Sequence, residues 1–198
     1  MWSEQIKRIA KLAQVRYQHD QLFVIAVDGC GGAGKSTLCQ ALAAEIDHWA
    51  SSHVLKLDSF YHPLGATQRT QLQQGQARQA YFNATEFKKN LLDPLARGVS
   101  VGYKPCHWLD GESDQTVELT PSGVMLLDGV FSFSKPLRDR VHLSLFVDTP
   151  LQLRKQRLIE RPQLDTEWVN HWQSTESWHH QHEHTVTAVD FVVSGTQG

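Results

Sequence analysis

Between Val27 and Leu38 the chain reads VDGCGGAGKSTL, and these residue types suit one kind of chemistry. Gly29, Gly31, Gly32 and Gly34 lack the Cβ that stops a backbone curling closely around another group. Gly29-x-x-x-x-Gly34-Lys35-Ser36 has the spacing of a phosphate-binding loop. Such a loop turns successive N–H groups inward as an anion nest, and the start of the following helix adds partial positive charge. The nine residues Gly29, Cys30, Gly31, Gly32, Ala33, Gly34, Lys35, Ser36 and Thr37 are therefore expected to hold a polyphosphate. Lys35 would reach the outer phosphates, Ser36 would place its hydroxyl on a magnesium ion, and Thr37 makes a weaker phosphate contact. A carboxylate is wanted beside that ion, and Asp128, closing the apolar run Val124-Met-Leu-Leu, supplies it.

A phosphate loop alone serves switches, motors, small-molecule kinases and passive sensors. No Asn-Lys-x-Asp guanine-reading sequence is present, and 198 residues leave little room for the extra modules of motor ATPases. The stretch Leu57-Asp58-Ser59-Phe60-Tyr61-His62-Pro63 closes the second apolar strand, where doubly wound sheets present ligands. Taken with Asp28 to Thr37, it resembles the uridine kinase and phosphoribulokinase group of P-loop kinases. Matches continue in order through Tyr81-Phe-Asn83, Leu91 to Gly98, Asp128-Gly-Val-Phe131, Phe146-Val-Asp-Thr149, the arginines Arg154, Arg157 and Arg161, and Val189 to Gly195. The similarity runs over about residues 21 to 195.

The resemblance implies a P-loop α/β fold, transfer of the γ-phosphoryl group of ATP to an acceptor hydroxyl, and Asp58 as the base beside that hydroxyl. Elementary chemistry agrees, because one carboxylate in hydrogen-bond reach can orient a poor nucleophile and accept its proton. By the same resemblance Arg154 leans towards the acceptor and Arg157 towards the ATP phosphates. Arg161 joins Tyr61, Asn83, His107 and Trp108 as acceptor contacts. Two departures leave the acceptor open. Asn83 stands where uridine kinases carry Asp, and Cys106-His107-Trp108 replaces a Tyr-Asp-aromatic element. A nucleoside is the family's default; glycerate, pantothenate-like or sugar acceptors are alternatives, as is a noncatalytic nucleotide-binding protein.

These residues need elements to position them. Leu22 to Val27 is apolar without alternation and stops at glycine, as a central parallel strand buried on both faces does. His53 to Leu57, Val124 to Leu127, His142 to Val147 and Phe191 to Val193 are similar short runs separated by helical or loop segments. The pattern predicts a three-layer α/β/α sandwich with a mostly parallel sheet of about five strands. Residues 1–20 read as a surface helix, with Ile6, Ile9, Leu12, Ala13 and Val15 at helical spacing. Leu38, Leu42, Ile46 and Trp49 line one face of the helix after the loop. Residues 60–80 and 100–118 are expected as acceptor-side loops or loose helices, and about 154–165 as a short arginine-bearing lid ended by Pro162. Leu91 to Gly98 reads as a helix restarting at Pro94. Trp168, Val169, Trp172 and Trp178 are expected to pack a helix from 166 to 184 against the sheet. His179, His180, His182 and His184 are expected to face solvent.

Composition bounds the rest. The length suits a single domain across 1–198. With 19 basic against 21 acidic residues there is no overall basic field for nucleic acid, so an anion must be held locally. Cys30, Cys39 and Cys106 follow no CxxC spacing, which predicts a reducing, cytoplasmic setting. No run approaches the roughly 20 apolar residues of a membrane span. The sequence leaves oligomeric state open.

Overall fold

In the computed structural model, which describes residues 2–62, 64–107, 111–160 and 166–196, five strands form one parallel sheet. They are β1 (Leu22–Asp28), β2 (Ser52–Lys56), β3 (Gly123–Asp128), β4 (Leu143–Asp148) and β5 (Phe191–Ser194), in the spatial order β2-β3-β1-β4-β5. All four pairings are parallel. The chain therefore skips a position between β1 and β2, and the crevice this opens at the carboxyl ends is where ligands bind such sheets.

The strands lack alternation because both of their faces are covered. Phe23, Ile25 and Val27 of β1, with Val124 and Leu126 of β3, enter one core together with helices α1 (Trp2–Arg16) and α2 (Lys35–Ile46). Val24, Met125 and Leu127 enter the opposite core, closed by Phe82, Phe87, Leu91 and Leu92 and by Trp172. This is the expected three-layer arrangement, and α1 closes the first core through Ile6, Ile9, Ala10 and Ala13. Val15, expected on that face, is instead exposed.

Three local readings are refined. The 60–80 segment contains two helices, Ala66–Gln71 and α3 (Gln74–Tyr81), and α3 packs against the long helix near the C-terminus. From Ala84 to Ala96 the chain is helical throughout, with a π-type turn at Lys88–Leu92 directly before Pro94. Proline offers no N–H, and a widened turn accommodates that break without ending the helix. Short ribbons pair Val101–Tyr103 with Val117–Leu119 and Cys106–His107 with Gly111–Glu112. On the site side follow α4 (Leu151–Ile159) and α5 (Thr166–His182). No described helix is long and apolar enough to cross a membrane.

Candidate active site

The loop between β1 and α2 folds tightly because its glycines permit it. Gly32 and Gly34 have φ of +75° and +102°, and a Cβ on Gly32 would lie 2.7 Å from the carbonyl oxygen of Arg154. Carbonyls of the loop are tied outward: Ala33 O accepts the Thr149 hydroxyl at 2.8 Å and Gly32 O accepts Arg157 Nη1 at 3.2 Å. No side chain caps α2 at Gly34. The first amides of a helix lack intrahelical partners, so those of Lys35 to Thr37 form a ready anion site. Beside them lies a cleft of about 310 Å³ lined by Gly32 to Thr37, Trp2, Arg157 and Gly195. Trp2, which the sequence marked only as part of a surface helix, anchors α1 here by donating its indole N–H to Ser194 O.

Asp28 holds the loop to the neighbouring strand end. Fully buried, it accepts the amides of Gly29 at 2.7 Å, Phe131 at 3.2 Å and Phe133 at 2.9 Å. Phe131 adopts φ +76°, a left-handed conformation unusual for an aromatic residue and sustained by these bonds. The turn after β3 is thereby fixed relative to the loop, and Asp128 with it. Asp128 is 4% exposed and lies opposite Val27 of β1 and Lys56 of β2. Ser36 is exposed at the open start of α2. The Cys39 thiol, one turn on, is pushed up by burial and further by Asp128, and pulled down by Lys35. Asp128 and Lys35 thus both lie within electrostatic reach of Cys39, one turn after Ser36 on α2, and a hydroxyl with a carboxylate is a donor set that fits magnesium, a hard cation taking oxygen ligands.

Asp58 sits on a single 3-10 turn, Leu57–Phe60, because β2 ends one residue earlier than expected, at Lys56. Its carboxylate is exposed at the edge that carries Asp128. Both act on the Tyr61 hydroxyl, which burial raises well above its usual range and which Asp58, Asp28, Asp128 and Glu176 raise further. Tyr61 itself donates to Val130 O and packs against Phe82 and Trp172, so its hydroxyl proton is committed within the protein and only its oxygen is left to accept. Asn83 likewise works locally, capping Ala84–Phe87 by accepting the Glu86 amide at 3.2 Å. His107 contributes backbone to the ribbon with Gly111. Trp108 and Arg161, and the lid beyond Glu160 up to Asp165, lie outside the described residues.

Arg154 and Arg157, three apart on α4, take different sides of the loop. Arg157 reaches Gly32 O and donates to Gly195 O at 3.2 Å, on the cleft side. Arg154 donates from Nε to Thr149 O at 3.0 Å and from Nη1 to Glu176 Oε1 at 2.9 Å.

Glu176 escaped the sequence reading, as did the burial of two histidines. Trp172, Glu176, His179 and His180 recur at spacings of three and four on α5, and this inward face was the available signal. The expectation that all four histidines face solvent is corrected: His182 and His184 do, whereas His179 and His180 are buried beside Asp28, His180 Nε2 at 3.9 Å from it. Burial drives His179 down to about 2, with His180, Arg78 and Arg138 adding to it. The tryptophans also divide. Trp172 is buried against Tyr81 and Phe131, Trp168 stacks on it, and Trp178 stacks on His182 and covers Gly75 of α3.

The model of the phosphoribulokinase/uridine kinase family matches residues 24–167. "Uridine kinase-like protein 3" of Arabidopsis thaliana is 26% identical over 147 residues, 73% of this chain and 31% of that protein. "Uridine-cytidine kinase 2-B" of Danio rerio is 30% identical over 152 residues, 71% of this chain and 58% of its own length. The chain thus spans 31% of the first of these relatives and 58% of the second. A structure described as a possible uridine kinase from Bacillus stearothermophilus superposes with a TM-score of 0.72 at 20% identity, covering 96% of this chain and 97% of that one, and speaks for the fold. With a matched segment that holds the loop, both strand-end carboxylates and the two described arginines, the chain belongs to the phosphoribulokinase/uridine kinase family.

Proposed function

We infer that the protein is an ATP-dependent small-molecule kinase that passes the γ-phosphoryl group to an acceptor hydroxyl. One observation carries the reading. Asp58 and Asp128 rise from the carboxyl ends of adjacent parallel strands, and on the other side of Asp128's strand lies β1, which runs into the helix start that carries Lys35 and Ser36. A phosphate-binding protein without chemistry needs the loop; a carboxylate poised next to it is what a kinase adds.

In this reading the amides from Gly32 to Thr37 orient the phosphates, Lys35 leaves Cys30 O, which it now contacts at 2.9 Å, for the outer phosphate oxygens, and Arg157 borders the nucleotide. Ser36 and Asp128 would hold magnesium, which when bound would neutralise phosphate charge. Asp58 accepts the hydroxyl proton as the oxygen attacks the γ-phosphorus and the bond from that phosphorus to the bridging oxygen of the β-phosphate breaks, ADP carrying away the electron pair, while Arg154 counters the charge of the migrating group. The Danio relative, whose name is a uridine-cytidine kinase, favours a nucleoside acceptor. Tyr61 and Asn83 already bonded within the protein favour an acceptor pocket built differently.

The test is an ADP-release screen with magnesium and ATP against nucleosides, sugars and small hydroxy acids. A kinase gives acceptor-stimulated turnover with one class. A protein that binds ATP and releases no ADP with any of them would replace this reading with a noncatalytic one.

A further inference from the structure

Glu176 places a carboxylate where a loop of this kind receives phosphate oxygens. The side chain is fully buried. Its Oε2 accepts the Gly31 amide at 2.7 Å and its Oε1 accepts Arg154 Nη1 at 2.9 Å. A loop amide and an arginine sharing one anion are also the donors that grip a phosphoryl group. α5 is in close contact with the loop around this bond: a Cβ on Gly31 would meet Trp172 Nε1 at 3.3 Å and Glu176 Oε2 at 3.4 Å. Lys35, meanwhile, is folded back on Cys30 O. Both the Gly31 amide and the loop lysine are thus satisfied by the chain itself.

The two sides of the loop differ. A Cβ on Gly34 would look onto Arg157 and Trp2, which line the open cleft; one on Gly31 looks onto Trp172, Glu176 and Leu158. A nucleotide entering by the cleft meets Gly32 to Thr37 first. Only the far end of its phosphate chain reaches Gly31, on the side where Glu176, Asp58 and Asp128 act together on Tyr61. We propose that Glu176 competes with the terminal phosphate of a nucleoside triphosphate for the Gly31 amide and Arg154, so that a diphosphate binds without disturbing α5 and a triphosphate binds only by displacing the carboxylate. Displacement also frees Arg154 to meet the transferred group, which ties readiness for transfer to the presence of the third phosphate. This rests on the kinase reading above and adds a residue that sets triphosphate against diphosphate.

The electrostatics support the competition. Burial pushes the Glu176 carboxyl up to about 7, against the opposing pull of the Gly31 amide, Lys35, Arg154 and the Cys30 thiol. The groups that hold this anion are those a phosphate would recruit, and two anions in one such site repel strongly.

Calorimetric titration at pH 8 with Mg·ADP and with the magnesium complex of a β,γ-imido ATP analogue tests it on the wild type and Glu176→Gln. Glutamine can still accept from Gly31 but brings no negative charge and no partner for Arg154. The analogue is expected to bind the variant about tenfold more tightly while ADP affinity stays within about twofold. An unchanged ratio of the two affinities, or an equal gain for both, overturns the proposal and leaves the kinase reading standing. Failure of the wild type to bind either nucleotide overturns that reading instead. Should Glu176→Gln not fold, Glu176→Asp, which withdraws the charge from Gly31 by one methylene, must shift the ratio in the same direction; no shift there is equally fatal.

Discussion

Asp28 accepts the backbone amide of Phe133 at 2.9 Å, across a separation of 105 residues. With its bonds to Gly29 and Phe131, this one buried carboxylate ties the phosphate loop to the turn that follows Asp128. The loop and Asp128 are therefore held by a common anchor, not by the sheet alone.

Asp28→Ala strands three buried amides, each costing about 1–3 kcal/mol when left without a partner. Urea denaturation is expected to find the variant at least about 3 kcal/mol less stable. A loss below about 1 kcal/mol would mean that the strands position this turn unaided.

Asp58 stands exposed on its single turn, so replacing it should leave the fold intact. Asp58→Asn is expected to retain nucleotide binding and to lose about 10²- to 10⁴-fold in kcat. Near-normal turnover in a steady-state assay with the acceptor found by the screen would remove Asp58 from the role of base.

Gly32 has φ +75°, with the Arg154 carbonyl 2.7 Å from where a Cβ would be. Gly32→Ala is expected to cost about 2 kcal/mol or more, through left-handed strain and that clash. Thermal unfolding reads the cost, and nucleotide affinity should fall with it because the loop must open to relieve the contact. Wild-type melting and affinity would show that the loop yields freely.

His179 makes stability depend on acid. The unfolded chain takes up a proton near pH 6.5 that the folded chain refuses down to about pH 2, because burial and the neighbouring His180, Arg78 and Arg138 disfavour the charge. Stability from this source is complete above pH 6.5 and declines as pH falls below it, by about 1.4 kcal/mol per pH unit for one proton. Denaturant titrations between pH 6.5 and 5 should show a shallower decline for His179→Asn than for the wild type. Parallel slopes would mean that the imidazole is protonated in the folded state.

The sequence by itself determined the sheet, the loop and the two strand-end carboxylates. These are local properties: a glycine spacing, apolar runs too continuous for a half-exposed strand, and acids at the point where such runs stop. Tertiary structure decided what those residues face. Tyr61 and Asn83 have the right types for an acceptor site, yet the fold commits the first to Val130 O and the second to a helix cap. Arg154 and Arg157 share a helix and a charge, and only the packing of α5 sends one to Glu176 and the other to the loop. Glu176 passes unmarked in the sequence, and His179 and His180 read as solvent-facing, until that helix is laid across the loop, Glu176 lying 145 residues away from Gly31 in the chain. The spacing of Trp172, Glu176, His179 and His180 on α5 marks an inward face but not what that face meets, since each partner's choice is set by the shape and charge of the other, and only the folded chain brings the two together.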